Sequence, residues 1–189
     1  MVSSESYYNF SQALVVDFIR RNLISNTNIY DLRCGTGETI DLLRKSLKER
    51  DIGIFTFLNE DLSRLKEFEN PGCFILNLAL QSIRPVNRQD VLNNICRQLP
   101  AGGICILSEE IIDHFWQFNK SYTDMHYDLE YEYGNNLSEE DTISEHVTSK
   151  DVSIPYTERE NRQMLEKAGF NAVSTVFKCL NFASIAAIK

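Results

Sequence analysis

The sequence predicts a doubly wound α/β domain whose sheet is mainly parallel and ends in an antiparallel hairpin. Three observations predict it. Short apolar runs alternate with helical stripes along the first half of the chain, the pattern of strands joined by crossover helices. Residues 30–37, Tyr-Asp-Leu-Arg-Cys-Gly-Thr-Gly, read as a buried strand entering a glycine turn and then a helix, the device by which such folds bring backbone amides to a ligand. Two apolar segments near the C-terminal end, 172–177 and 182–188, are so close in sequence that they must pair antiparallel.

Each element follows from its own residues. Segment 8–24 carries Ala13, Leu14, Phe18 and Leu23 on one stripe and reads as a helix. Residues 27–32 form a short strand, and 38–49, with Ile40, Leu42, Leu43 and Leu47, a second helix. Residues 52–58 read as a second strand and 61–68 as a brief helix ended by Asn70-Pro71-Gly72. The run 73–79 is almost wholly apolar, as expected of a strand covered on both faces. A helix over 86–99 is stopped by Pro100, and Gly102-Gly103 turn the chain into a strand at 104–108.

The next segment changes character. A helix over 113–133 bears Phe115, Phe118, Tyr122, Met125, Leu129 and Tyr133 on one stripe, and a more polar helix spans 138–147. Together they predict a helical cap over the carboxyl edge of the sheet at about 110–150. An aromatic stripe of this kind is expected to be mainly core. Thr157-Glu158-Arg159-Glu160 is a capping box, and Gly169 stands where a C-terminal glycine cap belongs, with Met164 and Leu165 on the helix between them.

The bulk properties bound the function. The 189 residues show no linker or repeat, so a single domain over 1–189 is expected. A net charge of -8 argues against general nucleic-acid binding, which needs clustered cations. The N-terminal residues lack a secretory pattern, and no apolar run is long enough to span a membrane. Five scattered cysteines without a C-x-x-C pair predict reduced, buried thiols in a cytoplasmic protein. His114, His126 and His146 lack metal-ligand spacing, so no metal is expected.

Several separated stretches then resemble one family, the carboxy-S-adenosylmethionine synthases of the class I S-adenosylmethionine (SAM) methyltransferase superfamily. They are Tyr30-Asp31-Leu32 with Cys34, Leu76-Asn77 with Leu80-Gln81, Arg88-Gln89 and Pro100-Ala101-Gly102-Gly103. Leu107-Ser108-Glu109, Met125-His126, Lys167-Ala168-Gly169-Phe170 and Cys179-Leu180-Asn181-Phe182-Ala183-Ser184 complete the series. The resemblance implies a Rossmann-like methyltransferase fold, SAM as ligand, prephenate as carboxyl donor, and a homodimer. It implies a cofactor site at Tyr8, Asp31, Gly35, Gly37, Asn59 and Asn77.

The chain departs from the family pattern at several places. Arg33 replaces the first glycine of the motif, and Leu58 replaces the acid that would accept hydrogen bonds from ribose. Between Leu58 and Asn77 there is room for one short helix and a turn, so the family's third strand, an edge strand, is expected to be missing. That loss would expose the 52–58 strand, with Ile52, Ile54 and Phe57, as an edge suited to pairing in a dimer. The arginine that the family uses for the ligand carboxylate falls at His146. A guanidinium fixed beside a sulfonium would oppose it by on the order of several kcal/mol at ~4 Å in a poorly solvated pocket. With the neighbouring helix N-terminus it would instead suit a small anion.

Candidate catalytic residues are Arg33, Glu109, His126 and His146, with Glu109 at the carboxyl end of a strand as a possible base. Three readings stay open: a SAM-using transferase with a remodelled pocket acting on a small anionic molecule, a repurposed enzyme that no longer uses SAM, and a non-catalytic partner or scaffold.

Overall fold

A computed structural model describes residues 4–35, 37–47, 67–133 and 153–189. The chain runs through α1 (Ser4–Asn22), β1 (Asn28–Asp31), α2 (Glu38–Ser46) and β2 (Pro71–Asn77). A 3-10 turn at Leu80–Ser82, α3 (Pro85–Gln98), β3 (Ile104–Ile112) and α4 (Trp116–Tyr133) follow. The chain closes with β4 (Tyr156–Thr157), α5 (Glu158–Ala168), β5 (Ala172–Cys179) and β6 (Phe182–Ile188).

The sheet order is β1-β2-β3-β6-β5, with the two-residue β4 pairing β3 to one side. β1, β2 and β3 are parallel, while β6 lies antiparallel to both β3 and β5. A mixed α/β fold with a mainly parallel sheet and an antiparallel C-terminal hairpin is therefore present as expected. Residues 52–58, most of 61–68 and 138–147 lie outside the described residues, and with them the predicted second strand, the edge left by the missing strand and the second cap helix.

Local chemistry sets the boundaries. Pro71 opens β2, where its missing N–H does least harm, and Pro85 sits at the first turn of α3 for the same reason. At α5 the Thr157 side chain accepts from the Glu160 amide at 3.1 Å and the Glu160 carboxylate accepts from the Thr157 amide at 2.8 Å, so the capping box forms. Gly169, at φ 103°, ends that helix in the left-handed conformation that glycine reaches at no steric cost.

Two apolar layers sandwich the sheet. On one face Val15, Val16 and Ile19 of α1 and Leu43 of α2 pack on Cys73, Ile75, Ile104 and Ile106. On the other, Val91, Leu92 and Ile95 of α3 and Leu165 of α5 pack on Phe74, Leu76, Cys105 and Leu107. The alternation along β2 and β3 divides these side chains between the faces, and both faces are covered.

Three expectations need correction. α1 begins at Ser4 rather than at residue 8. β3 continues to Ile112 rather than stopping at 108, because Glu110 is still paired with Phe182, and Ile111 and Ile112 with Tyr156 and Thr157. The described part of the aromatic stripe of α4 is largely exposed rather than core: Phe115 is 64% and Phe118 51% exposed, Met125 is exposed as well, and Tyr122 is half-buried. α4 packs against α1, and its aromatic side chains stack mainly on one another, Phe118 on Tyr122 with ring centroids 6.0 Å apart. Of the cysteines, Cys73, Cys96 and Cys105 are buried, while Cys34 and Cys179 are half-buried; all five are free thiols.

Candidate functional site

The helix after β1 lies on one face of the sheet and the helix after β2 on the other. The direction of winding therefore reverses between these neighbouring parallel strands. In open α/β sheets ligands bind in the crevice beyond the carboxyl ends of the strands at such a reversal. Here the crevice is bounded by the turn 32–37 on the β1 side and the turn 78–82 on the β2 side.

The β1 wall is built around Asp31. Its carboxylate accepts the Arg33 amide at 3.2 Å, and burial, partly offset by that bond, pushes its pKa up to about 6. Gly37 donates to the Cys34 carbonyl at 2.7 Å, closing the turn. Gly35 and Gly37 both have positive φ, 50° and 87°, and a Cβ added at either would meet nothing within 4 Å. These glycines are present for backbone conformation, and the space above them is open. Gly37 is the N-cap of α2 and brings no capping side chain, so the first amides of that helix are left without intrahelical acceptors.

The β2 wall is more heavily engineered than its sequence suggests. Leu78 adopts φ 52°, uncommon for a side chain of its size, while its amide donates to the Ser108 carbonyl at 2.8 Å. Glu109, 3% exposed, lies beneath the turn and accepts the amides of Leu80 at 2.8 Å and Gln81 at 3.0 Å. Burial drives its pKa up to about 7 against the opposing pull of these amides and of Arg88. Arg88, 1% exposed, donates to the Ile83 and Gln81 carbonyls, each at 2.8 Å, and its guanidinium lies 4.4 Å from the centroid of the Tyr156 ring. The buried Glu109 carboxyl thus holds amides of the turn, and the buried Arg88 guanidinium holds carbonyls of the turn and of Ile83 beside it.

Asn77, at the end of β2, donates from its side-chain amide to the Tyr8 hydroxyl at 2.8 Å, which brings α1 to the rim of the crevice. Its Oδ1 is buried without a hydrogen-bond partner among the described residues. An acceptor left in this state is costly unless a ligand completes it. Deeper along α1, Ser11 bonds Ser184 at 3.0 Å and Ser184 bonds Ser108 at 2.8 Å, a buried file of three hydroxyls.

Arg33 crosses the crevice. One of its guanidinium nitrogens donates to the Leu78 carbonyl and, at 3.0 Å, to the Ser82 hydroxyl. The structure thus sets Tyr8 beside Asn77, which ends β2, and Arg33 across to the turn that follows β2, with Asp31, Gly35 and Gly37 in the turn that carries Arg33. Glu109 is adjacent but turned beneath the wall, with its oxygens engaged by backbone amides, so it acts as a support for the turn. His126 lies half-buried on α4. Asn59, His146 and Leu58 fall outside the described residues. Among the described residues no three His, Cys, Asp or Glu side chains group as a metal site, and no helix is long and apolar enough to cross a membrane.

Sequence reasoning gave no role to Arg88, Gln81 or the serine file. A signal for Arg88 was available: it shares the spacing 88, 91, 92, 95 with Val91, Leu92 and Ile95, an arginine on the buried stripe of a helix.

No protein-family model matches the chain. It is 32% identical over 196 residues to the carboxy-S-adenosyl-L-methionine synthase of Desulfotalea psychrophila, covering 90% of this chain and 79% of that protein. It is 31% identical over 211 residues to the enzyme of that name from Campylobacter fetus, covering 100% and 89%. Among solved structures, human N-acetylserotonin methyltransferase in complex with SAM superposes with a TM-score of 0.61 at 15% identity, over 96% of this chain and 51% of that one. The CurJ carbon methyltransferase gives 0.65 at 13% identity, over 98% and 56%. The chain spans about half the length of these two structures, and the likeness to them establishes the methyltransferase fold.

Proposed function

Because the chain belongs to the carboxy-S-adenosyl-L-methionine synthase family, we propose that it is a SAM-dependent transferase-like protein whose remodelled crevice acts on a small anionic molecule. The observation that carries this reading is the Oδ1 of Asn77, at the end of β2 beside Tyr8, buried without a hydrogen-bond partner among the described residues. The residues present fit an adenosyl ligand: Asn77 supplies a waiting acceptor, Gly35 and Gly37 leave room, and the first amides of α2 lack intrahelical acceptors. SAM, when bound, supplies an activated carbon on its sulfonium; the chain's own contribution is to bind and orient. Asp31 contributes by fixing the turn through the Arg33 amide.

Calorimetric titration with SAM tests the reading. Saturable binding, weakened by Asn77→Ala, is the expected result. No heat and no thermal shift at millimolar SAM would sink it.

One observation favours a second reading. Arg33 lies across the crevice where the family pattern has glycine, which suits a scaffold that takes a small carboxylate without SAM. A screen of small carboxylates, prephenate among them, checks it: a hit in the absence of SAM supports repurposing, and silence leaves the non-catalytic role. We further propose a cytoplasmic homodimer, in keeping with five free thiols. A monomeric mass by light scattering at micromolar concentration would count against the dimer.

A further inference from the structure

The buried stripe of α1 changes character along its length. Val15, Val16 and Ile19 hold the sheet by apolar contact, and the same stripe continues toward the N-terminal end through Gln12, Ser11 and Tyr8. Ser11 and Gln12 are 0% and 2% exposed. Polar side chains taken out of water to this degree are costly unless each finds a partner. The partners lie on three different elements. Tyr8 meets Asn77 at the end of β2, Ser11 meets Ser184 of β6, and the Gln12 Oε1 accepts the Thr39 hydroxyl at 3.0 Å.

Thr39 is itself buried and lies in the first turn of α2. With Gly37 as N-cap that turn has no capping side chain of its own, so Gln12 steadies from outside what the helix does not steady itself. Tyr8 and Gln12 stand four residues apart, one above the other on a single face of α1. Their partners flank the crevice on opposite sides, since Thr39 follows the turn 32–37 and Asn77 precedes the turn 78–82.

We propose that Gln12 is a positioning residue for the ligand crevice and that, together with Tyr8, it makes α1 a strut that fixes the spacing of the two walls. The inference rests on the proposed binding of SAM. Gln12 acts through Thr39: it holds the first turn of α2 in place before a ligand arrives, so that binding does not have to order that turn. An apolar side chain at this point of the stripe would fill the space and leave the turn without its anchor.

The dissociation constant of SAM, read by calorimetry on the full chain, tests this, with each variant shown folded by circular dichroism. Gln12→Met keeps the length of the side chain and removes the acceptor. Thr39→Val removes the donor at the other end of the same bond and serves where Q12M does not fold; Thr39→Ser keeps the hydroxyl. The constant should rise about fivefold in Q12M and in T39V, the equivalent of one buried hydrogen bond, and stay within about twofold of the original in T39S. Tyr8→Phe and Gln12→Met together should weaken SAM by less than the product of their separate effects, because a strut released at one end no longer sets the spacing. A merely structural glutamine would lower the unfolding midpoint and leave the affinity of the folded protein as it was, so an unchanged constant in Q12M and T39V overturns this inference and leaves SAM binding standing. Separate effects that multiply in full overturn the strut. Absence of SAM binding by the unmodified protein overturns the SAM-dependent reading and this one with it.

Discussion

The Tyr8 hydroxyl and the Asn77 side-chain amide are joined at 2.8 Å across 69 positions of sequence. This bond ties the first helix to the end of β2 and leaves the Asn77 oxygen buried without a hydrogen-bond partner among the described residues. Tyr8→Phe removes the acceptor while keeping the edge-on contact with the Phe182 ring, whose centroid is 6.1 Å away. The whole Asn77 amide then lacks hydrogen-bond partners among the described residues. We expect a loss of about 1–2 kcal/mol in denaturant unfolding, the cost of orphaning a half-buried donor. SAM affinity should fall in parallel. Unchanged affinity with lowered stability would limit Tyr8 to a structural part.

Glu109 should make stability fall as pH rises toward neutrality. Its folded pKa of about 7 lies above that of an unfolded glutamate, so the native state binds the extra proton. The contribution is complete below about pH 4.5 and is lost as the pH rises through about 7, with a slope of up to ~1.4 kcal/mol per pH unit. Asp31, raised to about 6, acts in the same direction over a narrower window. Asp17, held down by hydrogen bonds from Arg21 and Arg20, and Glu158 and Glu160, held down first by Thr175 and Thr157, act oppositely and only on the acid side. Thermal melts from pH 5 to 8 on Glu109→Gln should show a flatter dependence than the unmodified protein. An unaltered slope would refute the assignment.

Arg88 should be among the most sensitive positions outside the apolar core. Arg88→Leu keeps the site filled but strands the Ile83 carbonyl, leaves the Gln81 carbonyl with the Ile154 amide alone, and removes the cation from the Tyr156 ring. A buried carbonyl left without a donor costs about 1–3 kcal/mol, and the second hydrogen bond and the cation–ring contact add about 1 kcal/mol, so a total loss of roughly 2–4 kcal/mol is expected in urea unfolding. Because the turn 78–82 forms one wall of the crevice, ligand affinity should drop even under conditions where the variant remains folded. A loss below about 1 kcal/mol would mean that the turn holds itself.

Much of this architecture is written locally and so can be read from the chain. The capping box at Thr157 and Glu160 and the glycine stop at Gly169 depend on neighbours a few residues apart. The buried run at 73–76 declares itself by composition, and the closeness of the last two strands dictates their antiparallel pairing. What escapes is whatever depends on contacts made across the fold. The two residues of β4 acquire their identity only by lying beside Ile111 and Ile112. Glu109 looks like a base at a strand end until the turn 78–82 is seen to cover it. The exposed face of α4 carries the same residue types as a core stripe, and periodicity finds the stripe without saying which surface meets it. Arg33 was conspicuous as a foreign residue in a glycine motif, yet its acceptors lie 45 and 49 residues away.

The file of hydroxyls through Ser11, Ser184 and Ser108 acts as an index pin for the first helix. A helix gripped only by Val15, Val16 and Ile19 could slide along the sheet and exchange one aliphatic contact for another. Advancing α1 by one turn, about 5.4 Å, would break the Ser11–Ser184 bond and set apolar side chains against the serines. A shift of register therefore loses a buried hydrogen bond, about 1 kcal/mol or more, and the seated position is favoured over its neighbours. Since Tyr8 rides on the same helix one turn before Ser11, the serines that index α1 also set the height at which the Tyr8 hydroxyl meets Asn77.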